Sequence, residues 1–295
     1  MEYKATIMAP LNVLTLGGSR NIGYFSSVRL LDAGCTVTFL LRDTAIFDTD
    51  ETIHKYLKSG KAFLCKGDAL VQGDVKRAWE ESASHGLEGK VDLLLFTVGG
   101  KPSIDIRRGA VIKPHNLVTQ CFLNAVCTMP PPSNQSYPRI VTISSTGLTH
   151  NAHDALPLLL KPLYGWLLNM PHQDKLGAER IIAHVCNWEW DPKDGPAEKK
   201  NILPQGWQDF PELPPKGSLS GNVLVVRPAL LTDGECVADK NAMKKQDKPP
   251  YRVKDVNEGE ISGYTVSRKD VGHFVAQAVL EKWEEFGGKI VNIAN

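Results

Sequence analysis

Seven short apolar runs in the chain read as strands, most of them apolar on both alternations: Asn12–Leu16, Thr36–Leu41, Lys61–Lys66, Val91–Val98, Arg139–Ser144, Asn222–Arg227 and Lys289–Ile293. Runs that are apolar on both alternations suit strands covered on two faces, as in a parallel sheet. Between them lie amphipathic stretches near 22–33, 51–59, 71–85, 115–129, 172–186 and 268–283. Strand–helix alternation of this kind means repeated βαβ units. The pattern therefore predicts an α/β fold: one doubly wound, mostly parallel, seven-stranded sheet with helices on both faces, in a single domain over 1–295.

One stretch breaks the rhythm. Residues 187–218 carry six of the 19 prolines and three of the six tryptophans, Trp188, Trp190 and Trp207. Proline at that density cannot continue a helix or a central strand. A long irregular segment inside a compact domain is usually a lid or a wall of a binding site. The alternative is an insertion that its tryptophans merely pin down. Segments 148–170 and 187–220 are thus expected on the substrate side, near the carboxyl ends of the strands where such sheets bind ligands.

Composition narrows the classes. The chain has 295 residues with 34 basic and 33 acidic side chains, a net charge of +1, which argues against a nucleic-acid binder. The one local excess, six Lys/Arg against two Asp in 239–254, reads as a solvated loop. The six cysteines form no CxxC and no zinc-finger spacing, and His150 and His153 lack a third ligand, so no metal is expected. The opening residues lack a signal-peptide pattern, and no apolar run approaches a membrane span. These features predict a soluble, cytoplasmic protein with free, mostly buried thiols and no membrane partner.

After the first strand comes Gly17-Gly18-Ser19-Arg20-Asn21-Ile22-Gly23, leading straight into a helix. Glycine at the strand end allows the tight turn, and Gly23 lets the helix pack close. The helix start then offers N–H groups to a pyrophosphate. The second strand ends Leu41-Arg42-Asp43. An acid there takes the ribose hydroxyls of NAD, whereas arginine holds the 2′-phosphate of NADP. Arg42 comes first, and Arg20 is a second guanidinium able to reach the same group, which favours NADP(H) over NAD(H). A surface pairing of Arg42 with Asp43 is the alternative.

Together these features resemble the short-chain dehydrogenase/reductase superfamily and its Rossmann fold, along nearly the whole chain. Gly17–Gly23 is similar to its TGxxxGxG turn, with Asn21 in place of the middle glycine. Lys66-Gly67-Asp68-Ala69 resembles the adenine-contacting turn after the third strand. Thr97-Val98-Gly99-Gly100 stands where the family has Asn-Asn-Ala-Gly. Ile143-Ser144-Ser145-Thr146-Gly147 resembles the end of the fifth strand, which makes Ser145 the catalytic serine. Val226–Gly234, with Pro228 and Leu230, is similar to the turn that passes the nicotinamide. Thr265–Val271 looks like the Ser-Arg-x-Asp-Val helix start of the atypical, NmrA-like and biliverdin/flavin-reductase-like branch.

The resemblance fails at one point. The family's main branch uses Tyr-x-x-x-Lys, in which lysine binds the nicotinamide ribose and tyrosine donates the proton. Asp174-Lys175-Leu176-Gly177-Ala178-Glu179 looks like the lysine segment, but Pro171 occupies the tyrosine position and Tyr164 lies eleven residues before Lys175. His172, one turn before Lys175, is the nearest replacement donor, or else an exposed histidine at a helix start.

Without a donor, the substrate must stabilise its own charge, as quinones, conjugated enones, flavins and linear tetrapyrroles do. Expected is an NADP(H)-dependent reductase of an apolar or aromatic small molecule, with Ser145, Lys175 and His172 as catalytic residues. Two other readings are a non-catalytic NAD(P) sensor of the NmrA type and a redox-neutral isomerase. The resemblance to the atypical branch, with the insertion over the dimer-forming helices, leans to a monomer over a dimer.

Overall fold

The computed structural model describes residues 10–100, 103–105, 109–132, 136–148, 169–194, 201–259 and 261–295. The chain runs β1 (Asn12–Leu16), α1 (Asn21–Asp32), β2 (Thr36–Leu41), α2 (Glu51–Lys58), β3 (Ala62–Lys66), α3 (Gln72–Ser84) and β4 (Leu93–Phe96). A small hairpin, β5 (Ser103–Asp105) with β6 (Gly109–Val111), precedes α4 (Leu117–Cys127), β7 (Arg139–Ile143) and α5 (Asn169–Cys186). The last part holds β8 (Val223–Pro228), β9 (Leu230–Thr232), α6 (Val237–Met243), β10 (Arg252–Asp255), β11 (Thr265–Ser267), α7 (Arg268–Leu280), α8 (Trp283–Phe286) and β12 (Lys289–Ala294).

The main sheet has the order β10-β12-β8-β7-β4-β1-β2-β3. Seven of these strands are the parallel ones that the apolar runs predict. The eighth corrects the expected strand number. Arg252–Asp255 pairs antiparallel to β12, and its alternation, exposed to half-buried with three charged residues in four, hid it among the loop residues. As an edge strand it covers only one flank, so it needs no continuous apolar run.

Side chains alternate between two cores. Leu14, Leu16, Val223 and Val225 face α3, α4 and α5, while Val13, Leu224 and Val226 face α1, α2 and α7. The Ser-Arg-Lys-Asp start of α7 is a capping arrangement: Ser267 Oγ accepts the Asp270 amide at 2.9 Å and hydrogen-bonds the Asp270 carboxylate.

The proline-rich insertion leaves α5 at the amino ends of the strands, where Trp188 N donates to Ala183 O. It reaches the start of α4, where His115 Nε2 lies 3.2 Å from Asn201 O and Asn116 Nδ2 donates to Ile202 O. It then returns to the base of α5, where Leu219 N donates to Val185 O. Trp207, fully buried with Leu203, Leu213 and Leu219, is a core residue edge-on to His184, so at this tryptophan the pinning reading holds and the wall reading does not.

Candidate active site

The expected site segments follow the carboxyl ends of β1, β2, β3, β4, β7 and β8, which the sheet order sets side by side. Gly17 has φ +89°, a value that favours glycine, and a side chain on it would lie 2.6 Å from the backbone of Thr97 and Val98. A Cβ on Gly23 would sit 2.2 Å from Thr97 Oγ1. The loop, the helix and the turn after β4 are therefore packed backbone to backbone. Asn21 takes φ 55°, a left-handed conformation that asparagine tolerates where the family has glycine.

Helix α1 begins at Asn21 behind an extended Arg20 that supplies no side-chain cap. Its first amides have no side-chain acceptor, as the cradle of a pyrophosphate requires. Ile22 is buried in the core, so only its backbone faces the loop, and Ser19 is half-buried. Arg20 and Arg42 are exposed. Asp43 accepts the Ala45 amide at 3.0 Å and caps a short turn, with no ion pair to Arg42.

Asp68 binds its own turn by accepting the Leu70 amide at 3.0 Å, and Ala69 O accepts from Asn124 of α4. Val98 packs on the core, Gly99 is exposed, and Gly100 leaves no room for a side chain against Ile112. Pro228 O accepts the Thr146 amide at 3.0 Å, which joins the turns after β7 and β8. Leu230 is exposed beyond it.

Residues around the lysine form a buried polar network. Lys175 Nζ donates to Ser144 O at 2.8 Å, and half-buried Ser145 follows directly. Ser144 itself points away, donating its hydroxyl to Glu179. Glu179, one turn after Lys175, also accepts from Arg227 Nε at 3.0 Å and from Arg227 Nη2. Asp174 accepts the amides of Val118 and Thr119, 2.8 Å each, and so caps α4 from another helix.

Burial pushes the Asp174 carboxyl up against those two bonds. Burial likewise pulls the Lys175 ammonium down to about 8, with Glu179 and Asp174 opposing. His172 is half-buried in the first turn of α5, and Pro171 sits in that same turn, where its missing N–H costs nothing. Tyr164, His150 and His153 lie outside the described residues.

The sequence places Glu179 in the lysine segment and Arg227 in the segment Val226–Gly234 without pairing them, although an arginine ending the apolar run Asn222–Arg227 is a signal of a buried partner. The pair floors a groove of about 630 Å³ beside Thr146 and Gly147, walled by Trp188 and Trp190. The six thiols are free, and burial holds Cys121, Cys186 and Cys236 up near 12, so they are poor nucleophiles. Among the described residues no group of three His, Cys, Asp or Glu could hold a metal, and no helix is long and apolar enough to cross a membrane.

The architecture is shared widely. A short-chain dehydrogenase from Burkholderia cenocepacia J2315, solved with NADP, superposes over 98% of both chains with a TM-score of 0.56 and 15% identity. ChuY, an anaerobillin reductase from Escherichia coli O157:H7, superposes over 96% of this chain and 95% of its own, with a TM-score of 0.52 and 13% identity. In sequence, the reductase pytE of Aspergillus terreus is 30% identical over 207 residues, 68% of this chain and 66% of its own length. At 13–15% identity, these solved structures show that the chain shares their fold. No family model matches it. The two departures from the pattern that the sequence resembles, Asn21 and Pro171, lie at the start of α1 and in the first turn of α5.

Proposed function

We propose that the protein is an NADP(H)-dependent reductase of the atypical branch, acting on a conjugated or aromatic small molecule such as a quinone or enone. When bound, the reduced nicotinamide supplies the hydride. Gly17, Ser19, Arg20, Asn21, Ile22 and Gly23 cradle the pyrophosphate, and Asp68 and Ala69 flank the adenine. Val98, Gly99, Gly100, Pro228 and Leu230 line the nicotinamide half. Lys175 holds the ribose, Ser145 polarises the acceptor oxygen, and His172 stands within one turn of Lys175. The chain forms one domain over 1–295, with 148–170, of which 149–168 lie outside the described residues, and the part of 187–220 that reaches the start of α4 on the substrate side; Trp188 and Trp190 wall the groove beside Glu179 and Arg227. The insertion's seat against the start of α4 favours a monomer.

The observation that carries the cofactor preference is the pair at the end of β2. Asp43 spends its carboxylate on a turn amide, while Arg42 stays exposed beside the cofactor loop. Calorimetric titration with NADPH and NADH, repeated on Arg42→Ala, tests it. Expected is tight NADPH binding that weakens about 10- to 100-fold on substitution, as loss of a charge-assisted hydrogen bond implies, with NADH poor throughout. Equal NADH binding overturns the preference, and binding of neither overturns the reductase reading. A second reading, a non-catalytic redox sensor, draws on Pro171 in the tyrosine position; nicotinamide binding without turnover on any quinone, enone or flavin would support it.

A further inference from the structure

Among the described residues, Lys175 is a half-buried cation with no ion-paired carboxylate. The two carboxylates that bear on it, Asp174 and Glu179, lie on its own helix, and both are engaged elsewhere. Asp174 turns both oxygens to the amides that open α4, and Glu179 is taken by Ser144 and Arg227. Neither forms an ion pair with Lys175, whose Nζ rests on a neutral acceptor, the Ser144 carbonyl. From β8, Arg227 presents like charge behind Glu179, and from the start of α4, His115 faces Asp174. An ammonium so placed holds its proton loosely.

We propose that Lys175 Nζ is the proton donor of the reaction, in the role for which Pro171 leaves no tyrosine, and that Asp174 and Glu179 are positioning residues that keep their carboxylates off it. The inference rests on the reductase reading. A conjugated acceptor that has gained a hydride carries the extra electron pair on its oxygen. The Nζ–H bond breaks towards nitrogen, an O–H bond forms, and Lys175 is left as a neutral amine. Water returns the proton before the next turnover. The acceptor has then gained one hydride and one proton. The Ser144 carbonyl that holds Nζ is one residue from Ser145, so both groups work at the same strand end. A lysine lowered towards neutrality suits this task, since general acids act best near the working pH.

Competitive acetylation of the full chain with acetic anhydride from pH 6 to 11, read by peptide mass spectrometry, measures the titration of Lys175 without any acceptor. Its half-titration is expected near pH 8, about two units below an ordinary lysine. A midpoint at or above 10 overturns the proposal. With an acceptor, kcat should fall as pH rises through about 8, because the acid form is lost. Lys175→Arg, charged but unable to titrate, should lower kcat at least about 100-fold and abolish that limb, while NADPH affinity by calorimetry stays within about tenfold. Retained kcat and limb in Lys175→Arg sinks the proposal and leaves the reductase reading standing. Absence of NADPH binding to the unsubstituted protein sinks the reading itself.

Discussion

At the scale of single residues, the loop Gly17–Gly23 shows how a motif can bend without breaking. Asn21 sits at φ 55°, where an L residue with a bulky side chain is costly and asparagine is tolerated. Asn21→Gly should leave stability unchanged or slightly raised, whereas Asn21→Val should cost about 1–2 kcal/mol in urea unfolding. Gly23 is less forgiving. A methyl there meets Thr97 Oγ1 at 2.2 Å and Gly17 O at 2.6 Å, so Gly23→Ala should cost about 1–3 kcal/mol and weaken NADPH binding at the same time. The glycine positions of this turn were legible because backbone demands are local. The orientation of Asp43 was not legible, since whether a carboxylate turns to its own turn or to a ligand depends on the amide that it meets.

Helix α5 carries the residues on which the proposed chemistry depends. Its buried face carries Asp174, Glu179 and, between them, Lys175, all spaced to meet different neighbours: α4, β8 and β7 in turn. Glu179→Leu should destabilise the protein by about 3–5 kcal/mol, because the buried Arg227 guanidinium loses the carboxylate that balances its charge. Replacing both residues by apolar ones of similar size should recover much of that loss, and a urea-unfolding double-mutant cycle measures it. The Tyr-to-Pro departure at Pro171 was plain from the sequence, and so was the helical register from His172 to Lys175. The pairing of Glu179 with Arg227 was hidden, since 48 positions separate them and only the packing of α5 on β8 brings them together.

For the whole molecule, the two cores and the parallel order follow from strands that are apolar on both faces. NADPH at about 100 times its dissociation constant should stabilise the fold by about 2.7 kcal/mol and raise Tm by several degrees, a shift that thermal scans of Arg42→Ala should show reduced.

The chain by itself determined the seven parallel strands, the helices between them and the order of the turns at their carboxyl ends. Apolar periodicity, turn glycines and helix caps are local properties, and the right-handed crossover rule does the rest. Only the tertiary structure decided the antiparallel β10, whose single covered flank needs no apolar run. It alone decided that the insertion reaches the start of α4 and returns with Trp207 in the core. It decided, too, that the carboxylates flanking Lys175 are spent on other partners. Each of these is a choice among polar or aromatic partners distant along the chain. Such choices are made by packing, because a buried donor, acceptor or ring takes whatever neighbour the assembled fold brings within reach.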